Sequence, residues 1–459
     1  MMNNELRPYE EYVDTRDVWH GKLPKHWDCV KLGMKFRERR TKVSDKEFMP
    51  LSVTKNGIVP QLSTAAKSND GDNRKLVKQG DFVINSRSDR KGSSGLSNYN
   101  GSVSLINIVL QPYEVNSKYA HYLFKSNSFI EEFYRNGRGI VADLWTTRFY
   151  EMRNIYIPIP SLPEQDQIVK YLDNKLAKIN KFIKAKKKLI AALKEQKQAI
   201  INQAVTKGFD SKVRMKPSGI EWLGDIPEHW TMVQLKRLVK TVKTGGTPSG
   251  ADEKYFEPIG FNWFTPSDFN DELYLSNSNR QLSNVGKSEV NIFPQGTVMM
   301  IGIGATMGKI SISEKKCSCN QQINAILCSE NIIPEFLVYF MRAVRTHIFA
   351  IAKYTTLPIL NQEETKKIMV PSIPCEEQKK IVLKINESVA VYDAGIKKIE
   401  HEIGLVLEYK SSLVSEVVTG KVDVQHVFIE KPKKVGRDES DIDEELTYGG
   451  ETDIEEGDE

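Results

Sequence analysis

The sequence predicts an α+β chain: two similar mixed α/β domains separated by two long helices that pair with each other, the whole forming a pseudo-twofold internal repeat. Three observations predict it. The chain repeats itself, each copy carries a narrow apolar stripe at helical spacing, and the two interiors diverge while their borders recur.

The repeat opens with WHGKLPKHWDCVKL (Trp19 to Leu32), which returns as WLGDIPEHWTMVQL (Trp222 to Leu235) at a constant offset of 203. Trp19, Gly21, Pro24, His26, Trp27, Val30 and Leu32 recur as Trp222, Gly224, Pro227, His229, Trp230, Val233 and Leu235. QGDFVI (Gln79 to Ile84) has a weaker echo in QGTVMM (Gln295 to Met300). IPSLPEQDQIV (Ile159 to Val169) returns as VPSIPCEEQKKIV (Val370 to Val382), and EQKQAIINQAVT (Glu195 to Thr206) as EYKSSLVSEVVT (Glu408 to Thr419). A His-Trp pair in each copy fits a ligand site on paper. A Trp pinned between a turn and a short strand is more often core, with His meeting a polar edge, so both pairs are assigned to the framework.

Each Pro-Ser-x-Pro turn leads into a helix. The first seam runs Ile168, Leu172, Leu176, Ile179, Ile183, Lys186, Ile190, Leu193, Lys197, Ile200, Ala204. Adding 213 gives Ile381, Ile385, Val389, Tyr392, Ile396, Ile399, Ile403, Val406, Lys410, Leu413, Val417, without a gap. After a first step of four, spacings alternate between four and three, the coiled-coil rhythm. Two helices with one narrow stripe each bury those stripes on each other. The expected boundaries are 1–160 for the first domain, 161–212 for a central helix, 213–371 for the second domain, 372–425 for a distal helix and 426–459 for a disordered acidic tail. Each domain has strand-like runs (DFVINSRS and SVSLINIVLQ; GTVMMIGIG and INAILC) and one helix-like stretch, Ser117 to Arg135 and Pro334 to Ala352.

A net charge of +5 conceals an asymmetry. Asp438 to Glu459 holds twelve acidic residues and no Lys or Arg, which leaves 65 basic against 48 acidic residues elsewhere, a net +17. Such a body suits a polyanion, nucleic acid first, and equally suits a solvated surface. The tail repels itself and has little to bury. Five cysteines are too few for a disulfide framework, the N-terminus lacks an apolar signal region, and no stretch approaches the ~20 apolar residues of a membrane helix. A reduced, cytoplasmic protein is expected.

Catalytic signatures are missing. There is no Pro-Pro dipeptide, and so no Asn/Asp-Pro-Pro-aromatic loop of the kind amino-methyltransferases use to grip a flipped base. GIGATMGK (Gly302 to Lys309) has five residues between its outer glycines where a phosphate loop has four, and Ile310 where Ser or Thr meets magnesium. Cys317, Cys319 and Cys328 lack a fourth ligand at zinc spacing.

TGGTPSGADEKYFEPIGFNWFTPSDF (Thr244 to Phe269), GTVMMIGIGATMGKISI and NQQINAI (Asn320 to Ile326) resemble target recognition domains of the specificity subunit of type I restriction–modification systems. VKQGDFVINSRSDRKGSSGLSNYNGSVS (Val77 to Ser104) is similar to another variant of that domain, and the two Pro-Ser-x-Pro turns to the family's leads into its helices. The resemblance covers about 20–421; the acidic tail departs from it. It implies two target recognition domains, each reading half of a split, asymmetric double-stranded DNA sequence, and helices paired as an antiparallel coiled coil that acts as a ruler. It implies two methyltransferase subunits docked around the helices, and translocase–nuclease restriction subunits beyond them. It also implies that S-adenosylmethionine, magnesium and ATP belong to those partners, with no cofactor or metal on this chain.

Sequence is read mainly in the major groove, where Arg pairs with guanine and Asn or Gln with adenine, while phosphate contacts set register. The loop Ser86-Arg87-Ser88-Asp89-Arg90-Lys91-Gly92 is basic, small and follows a strand, so Ser86, Arg87, Arg90 and Lys91 are candidate DNA contacts. Arg138 in Gly137-Arg138-Gly139 joins them. In the second domain the candidates are Thr247, Lys309, Asn320, Gln321 and Gln322. Each has an ordinary exposed loop as its bland alternative. Eleven Lys against two acids between Lys170 and Lys207 fit spacer phosphates, an acidic partner or a solvated face. Two other functions remain open: a repeat scaffold that organises proteins without touching DNA, and a fused restriction–methylation enzyme, against which the missing Pro-Pro loop argues.

Overall fold

The computed structural model describes residues 6–15, 19–61, 71–139, 145–249, 253–351, 353–354 and 358–429. The acidic stretch lies outside them. Two compact units are present, Met1–Lys187 with Glu400–Glu459, and Lys188–Ile399.

In the first unit an antiparallel sheet has the order Ser94–Leu96, Phe82–Asn85, Asn107–Pro112, Phe36–Glu38. Its two central strands are apolar nearly throughout because both faces are covered. With a period of two, Phe82, Ile84, Ile108 and Leu110 face the main core, while Val83 and Val109 join Leu51, Ile58, Val77 and Val103 on the other side. The second unit repeats this order: Ile310–Ser313, Val298–Ile301, Ile323–Cys328, Val239–Thr244. Val298, Met300 and Ile326 face one core, and Met299, Ile301 and Ala325 the other. A fifth strand, Tyr274–Leu275, pairs parallel at the edge.

Both expected single helices are broken. Ser117–Lys125 and Asn127–Arg135 are split at Ser126, whose extended backbone ends one helix while its hydroxyl caps Phe129 N–H of the next. Pro334–Ala343 and Arg345–Ile351 are split at Val344. The run SVSLINIVLQ likewise divides into Gly101–Val103 and Asn107–Pro112, because a turn bonds Asn107 N–H to the Ser104 carbonyl at 3.0 Å.

The central helix is Leu162–Lys207 and the distal helix Cys375–Val418. Every seam position on both is buried or half-buried. In the first unit Ile168, Leu172 and Leu176 share a core with Leu413, Val414 and Val417, and Lys186 Nζ lies 2.7 Å from Glu402. In the second, Ile201, Ala204 and Val205 share a core with Ile381 and Ile385, and Lys197 Nζ lies 2.6 Å from Asp393. Low numbers meet high numbers within each unit, so the helices pair antiparallel. Each is followed by a glycine in the left-handed region: Gly208 (φ 73°) against Trp230, and Gly420 (φ 74°) against Trp27.

What fastens each helix to its unit is a Glu-Gln pair in its first turns. Trp27 Nε1–H donates to Glu164 at 2.9 Å, and His26 Nε2 lies 3.1 Å from the same carboxylate. Trp230 and His229 meet Glu377 in the same way, at 3.0 and 2.9 Å. Both His-Trp pairs are framework. Gln165 accepts Asn116 N–H at 2.8 Å and donates to the Pro160 carbonyl at 2.8 Å. Gln378 accepts Ile333 N–H at 2.8 Å and donates to the carbonyls of Asn331 and Ile373 at 2.9 and 3.0 Å. Gln378 is fully buried, so Gln378→Leu strands three backbone groups and is expected to destabilise the protein by about 2–3 kcal/mol. Lys194→Ala on the exposed face should stay within about 0.5 kcal/mol in the same denaturant titration.

Candidate nucleic-acid interface

In the first unit the buried strand Phe82–Asn85 delivers the loop 86–92 to the surface. Thr146 ties this loop to the other candidate loop: it forms an antiparallel bridge with Arg87 on one side and with Arg138 on the other. Ser88 N–H donates to the Trp145 carbonyl at 2.9 Å, and Thr147 N–H to the Ser86 carbonyl at 2.9 Å. The structure thus brings Arg87, Arg90, Lys91 and Arg138 into one cluster. Ser86 is the exception. Its side chain is buried, so it builds the base of the loop rather than its surface.

The cations are held by light tethers. Arg87 Nε lies 2.9 Å from Asp89 and Arg90 Nε 3.9 Å from it, Lys91 pairs with Glu131 at 2.7 Å, and Arg138 lies 3.9 Å from Glu151. Exposed pairs of this kind are worth about 0–1 kcal/mol, so a guanine edge or a phosphate can replace the carboxylate. Sequence reasoning missed Trp145, which is partly exposed and lines an open cleft of about 530 Å³ with Trp19, Ser88, Lys91 and Tyr134. An aromatic in a basic neighbourhood was the available signal.

The second unit places Gly302–Gly308 where the first places 86–92. Leu360 N–H donates to the Gly302 carbonyl at 2.8 Å, as Thr147 does to Ser86, and Gly92 and Gly308 share a positive φ of 80° and 77°. Three of the loop's amides are spent within the protein, Gly304 N–H on the Pro358 carbonyl, Met307 on Gly304 and Gly308 on Ile301, so these three cannot cradle a phosphate. Gly302 N–H donates to the Gln322 carbonyl at 2.8 Å, which joins the loop to Asn320–Gln322. Gly246 N–H donates to the Cys319 carbonyl at 2.8 Å, and a Cβ on Gly245 would meet that oxygen at 2.1 Å. The close approach lets Thr247 Oγ1 donate to Gln321 Oε1.

Thr247 and Gln321 are exposed and Gln322 half-buried. Asn320 is buried and accepts Gln322 N–H at 3.0 Å, so it shapes the turn instead of presenting itself. Lys309 is half-buried, with Nζ 3.2 Å from the Phe269 carbonyl. Sequence reasoning also missed Arg280, exposed and stacked 3.8 Å over Phe256 and 5.6 Å from Trp263, whose Nε1–H donates to the Gly246 carbonyl. Cys317 and Cys319 lie in an apolar core, where burial pushes the Cys317 thiol up to about 12. Among the described residues no group of three or more His, Cys, Asp or Glu could hold a metal ion.

Both loops rest on cations, a buried lysine in the first unit and two half-buried arginines in the second. Lys125 Nζ donates to the carbonyls of Lys55, Gly92 and Ser94, at 2.7, 3.0 and 3.5 Å. Arg342 donates to the Ile310 carbonyl, the counterpart of Ser94, and Arg345 to the Met307 carbonyl at 3.1 Å. Burial lowers Lys125 to about 8. One turn before it, buried His121 accepts Leu96 N–H at Nδ1, and burial followed by the charges of Lys125 and Lys118 lowers it to about 3. The unfolded chain binds this proton near pH 6.5 and the folded chain does not, so stability falls as pH drops from about 6.5 toward 3. Wild type should lose about 2 kcal/mol more than His121→Gln between pH 7.5 and 5, read from denaturant midpoints.

The chain matches the profile of a family described as type I restriction modification DNA specificity domain, over residues 24–192 and 227–403. It is 25% identical over 439 residues to the specificity subunit of the type I restriction enzyme MjaVIII of Methanocaldococcus jannaschii, with 89% of this chain and 96% of that one covered. It is also 25% identical over 287 residues to the MjaX specificity subunit of the same organism, a match spanning 61% of that relative's length. A solved structure from work on assembly and conformational transition of the type I R-M system covers 86% of this chain, with a TM-score of 0.63 at 14% identity. At that identity the likeness concerns the fold.

Proposed function

Because the chain belongs to the family of type I restriction–modification DNA specificity proteins, we propose that it reads a bipartite, asymmetric duplex target, one half-site per recognition domain, without a catalytic centre of its own. The observation that carries this reading is the pair of equivalent loops on sheets of identical strand order, one written Ser-Arg-Ser-Asp-Arg-Lys and the other Gly-Ile-Gly-Ala-Thr-Met. The same frame presents different chemistry, as two readers of different sequences require. The first reader works through Arg87, Arg90, Lys91 and Arg138, and the second through Thr247, Gln321, Gln322, Lys309 and Arg280.

Methyl transfer and cleavage then fall to partners: two methyltransferase subunits, and restriction subunits that translocate DNA. S-adenosylmethionine, magnesium and ATP are used there. Exposed apolar side chains on the distal helix, Leu383 and Val391 in one unit and Leu405 and Tyr409 in the other, offer docking area for such subunits. Among the described residues no helix is long and apolar enough to cross a membrane, and we place the protein in the cytoplasm with its DNA.

Two experiments test the reading. Arg87→Ala, assayed with the methyltransferase partner, should cost about 1–3 kcal/mol on the preferred site and relax selection at one base position. A uniform loss over all sequences would make Arg87 a phosphate contact. Exchanging residues 20–158 for those of a relative should change one half of the methylated sequence. A change in both halves, or in neither, rules out separate readers, and retained partner binding without DNA binding would favour a scaffold.

A further inference from the structure

In the first unit the chain runs out along the central helix. Val424 and Val427 are buried in the core that holds Ile168, Tyr171 and Leu172. The Gln167 amide donates to the carbonyls of both valines, at 3.1 and 2.8 Å. The described residues therefore end, at Ile429, beside the first turns of that helix.

From Lys170 to Lys187 the helix has seven Lys and one acid, Asp173. Asp173 is already engaged by Lys118 at 2.8 Å and by the Tyr122 hydroxyl. Lys186 turns inward to Glu402. Lys170, Lys178, Lys181 and Lys187 are exposed, and at 100° per residue Lys170 and Lys181 stand opposite the seam. Lys178 and Lys187 flank this side on opposite edges of the helix, nine residues apart, so the exposed surface from 170 to 187 carries a positive excess over its one acid.

The complementary charge follows in the same chain. Eight residues, 430–437, connect this point to the twelve acids of Asp438 to Glu459. Eight residues reach about 26–29 Å when extended. Lys170 to Lys187 covers about 26 Å of helix. We propose that the acidic segment Asp438 to Glu459 docks along the lysine face of the central helix in its own chain and covers it against other polyanions. A tether this short gives an effective concentration in the millimolar range, so weak individual pairs suffice.

Zero-length coupling of the full-length chain with a water-soluble carbodiimide, mapped by mass spectrometry, tests this. At low salt the carboxylates of 438–459 should couple to Lys170, Lys178, Lys181 and Lys187 at least about fivefold more than to other exposed lysines of the unit, such as Lys46 and Lys55. The preference should vanish near 1 M salt, where the screening length is about 3 Å. In a mixture of isotope-labelled and unlabelled protein the links should stay within one chain. Changing the four lysines to Gln should leave no preferred acceptor. Links spread evenly over exposed lysines, links only between chains, or none at all would overturn the proposal. DNA reading does not depend on this contact, so its failure leaves the assigned function standing.

Discussion

A carboxylate and a buried amide, side by side at the start of each long helix, hold the architecture together, the carboxylate buried at Glu164 and half-buried at Glu377. Glu164 and Glu377 each gather an indole N–H and an imidazole, while Gln165 and Gln378 each clasp the backbone leading into a shorter helix of the same unit. Unpaired, these groups would be costly to bury; paired, they fix where the helix leaves its unit. In the first unit Glu164 also accepts from Tyr9 and Gln425, which brings both ends of the described chain to the same carboxylate.

Much of this was legible in the residues. The His-Trp and Pro-Ser-x-Pro repeats are framework because both packing partners recur, and a stripe at three–four spacing has one stable outcome for a pair of helices. The equivalence of the sheets showed only as the faint echo of QGDFVI in QGTVMM, since Phe82-Val-Ile-Asn and Val298-Met-Met-Ile share little beyond their apolar character. It emerges from strand order and from which residues face which core. Side-chain direction in loops was hidden. Ser86 and Asn320 are polar residues in polar loops, yet both are buried. The helix break at Ser126 lies in a run whose apolar rhythm continues across it, so periodicity alone passed over the cap.

The two recognition surfaces share a means of support that no motif announces. A lysine in one unit and two arginines in the other donate to carbonyls beneath the loops, and one accepting position, Ser94 and Ile310, is equivalent in the two. The loop above can change sequence while the support beneath it persists, provided that its carbonyls stay in place. Variation between the two copies thereby falls in the loops proposed to meet DNA, while the strand order and the Glu-Gln fastening recur.

The half-buried lysines of the central helix have an effect that apolar seam residues could not supply. Lys186 meets Glu402 and Lys197 meets Asp393. A slip of one heptad would set Lys186 against Gly395 or Tyr409, and Lys197 against Asn386 or Glu400. At least one ammonium would lose its counter-ion at a helix contact, whichever way the slip ran. Apolar rhythm makes these helices adhesive to any similar helix; the two ion pairs make them particular. In a cell that carries several proteins built on the same heptads, such pairs act as a password by which a helix accepts its own mate and refuses a stranger's.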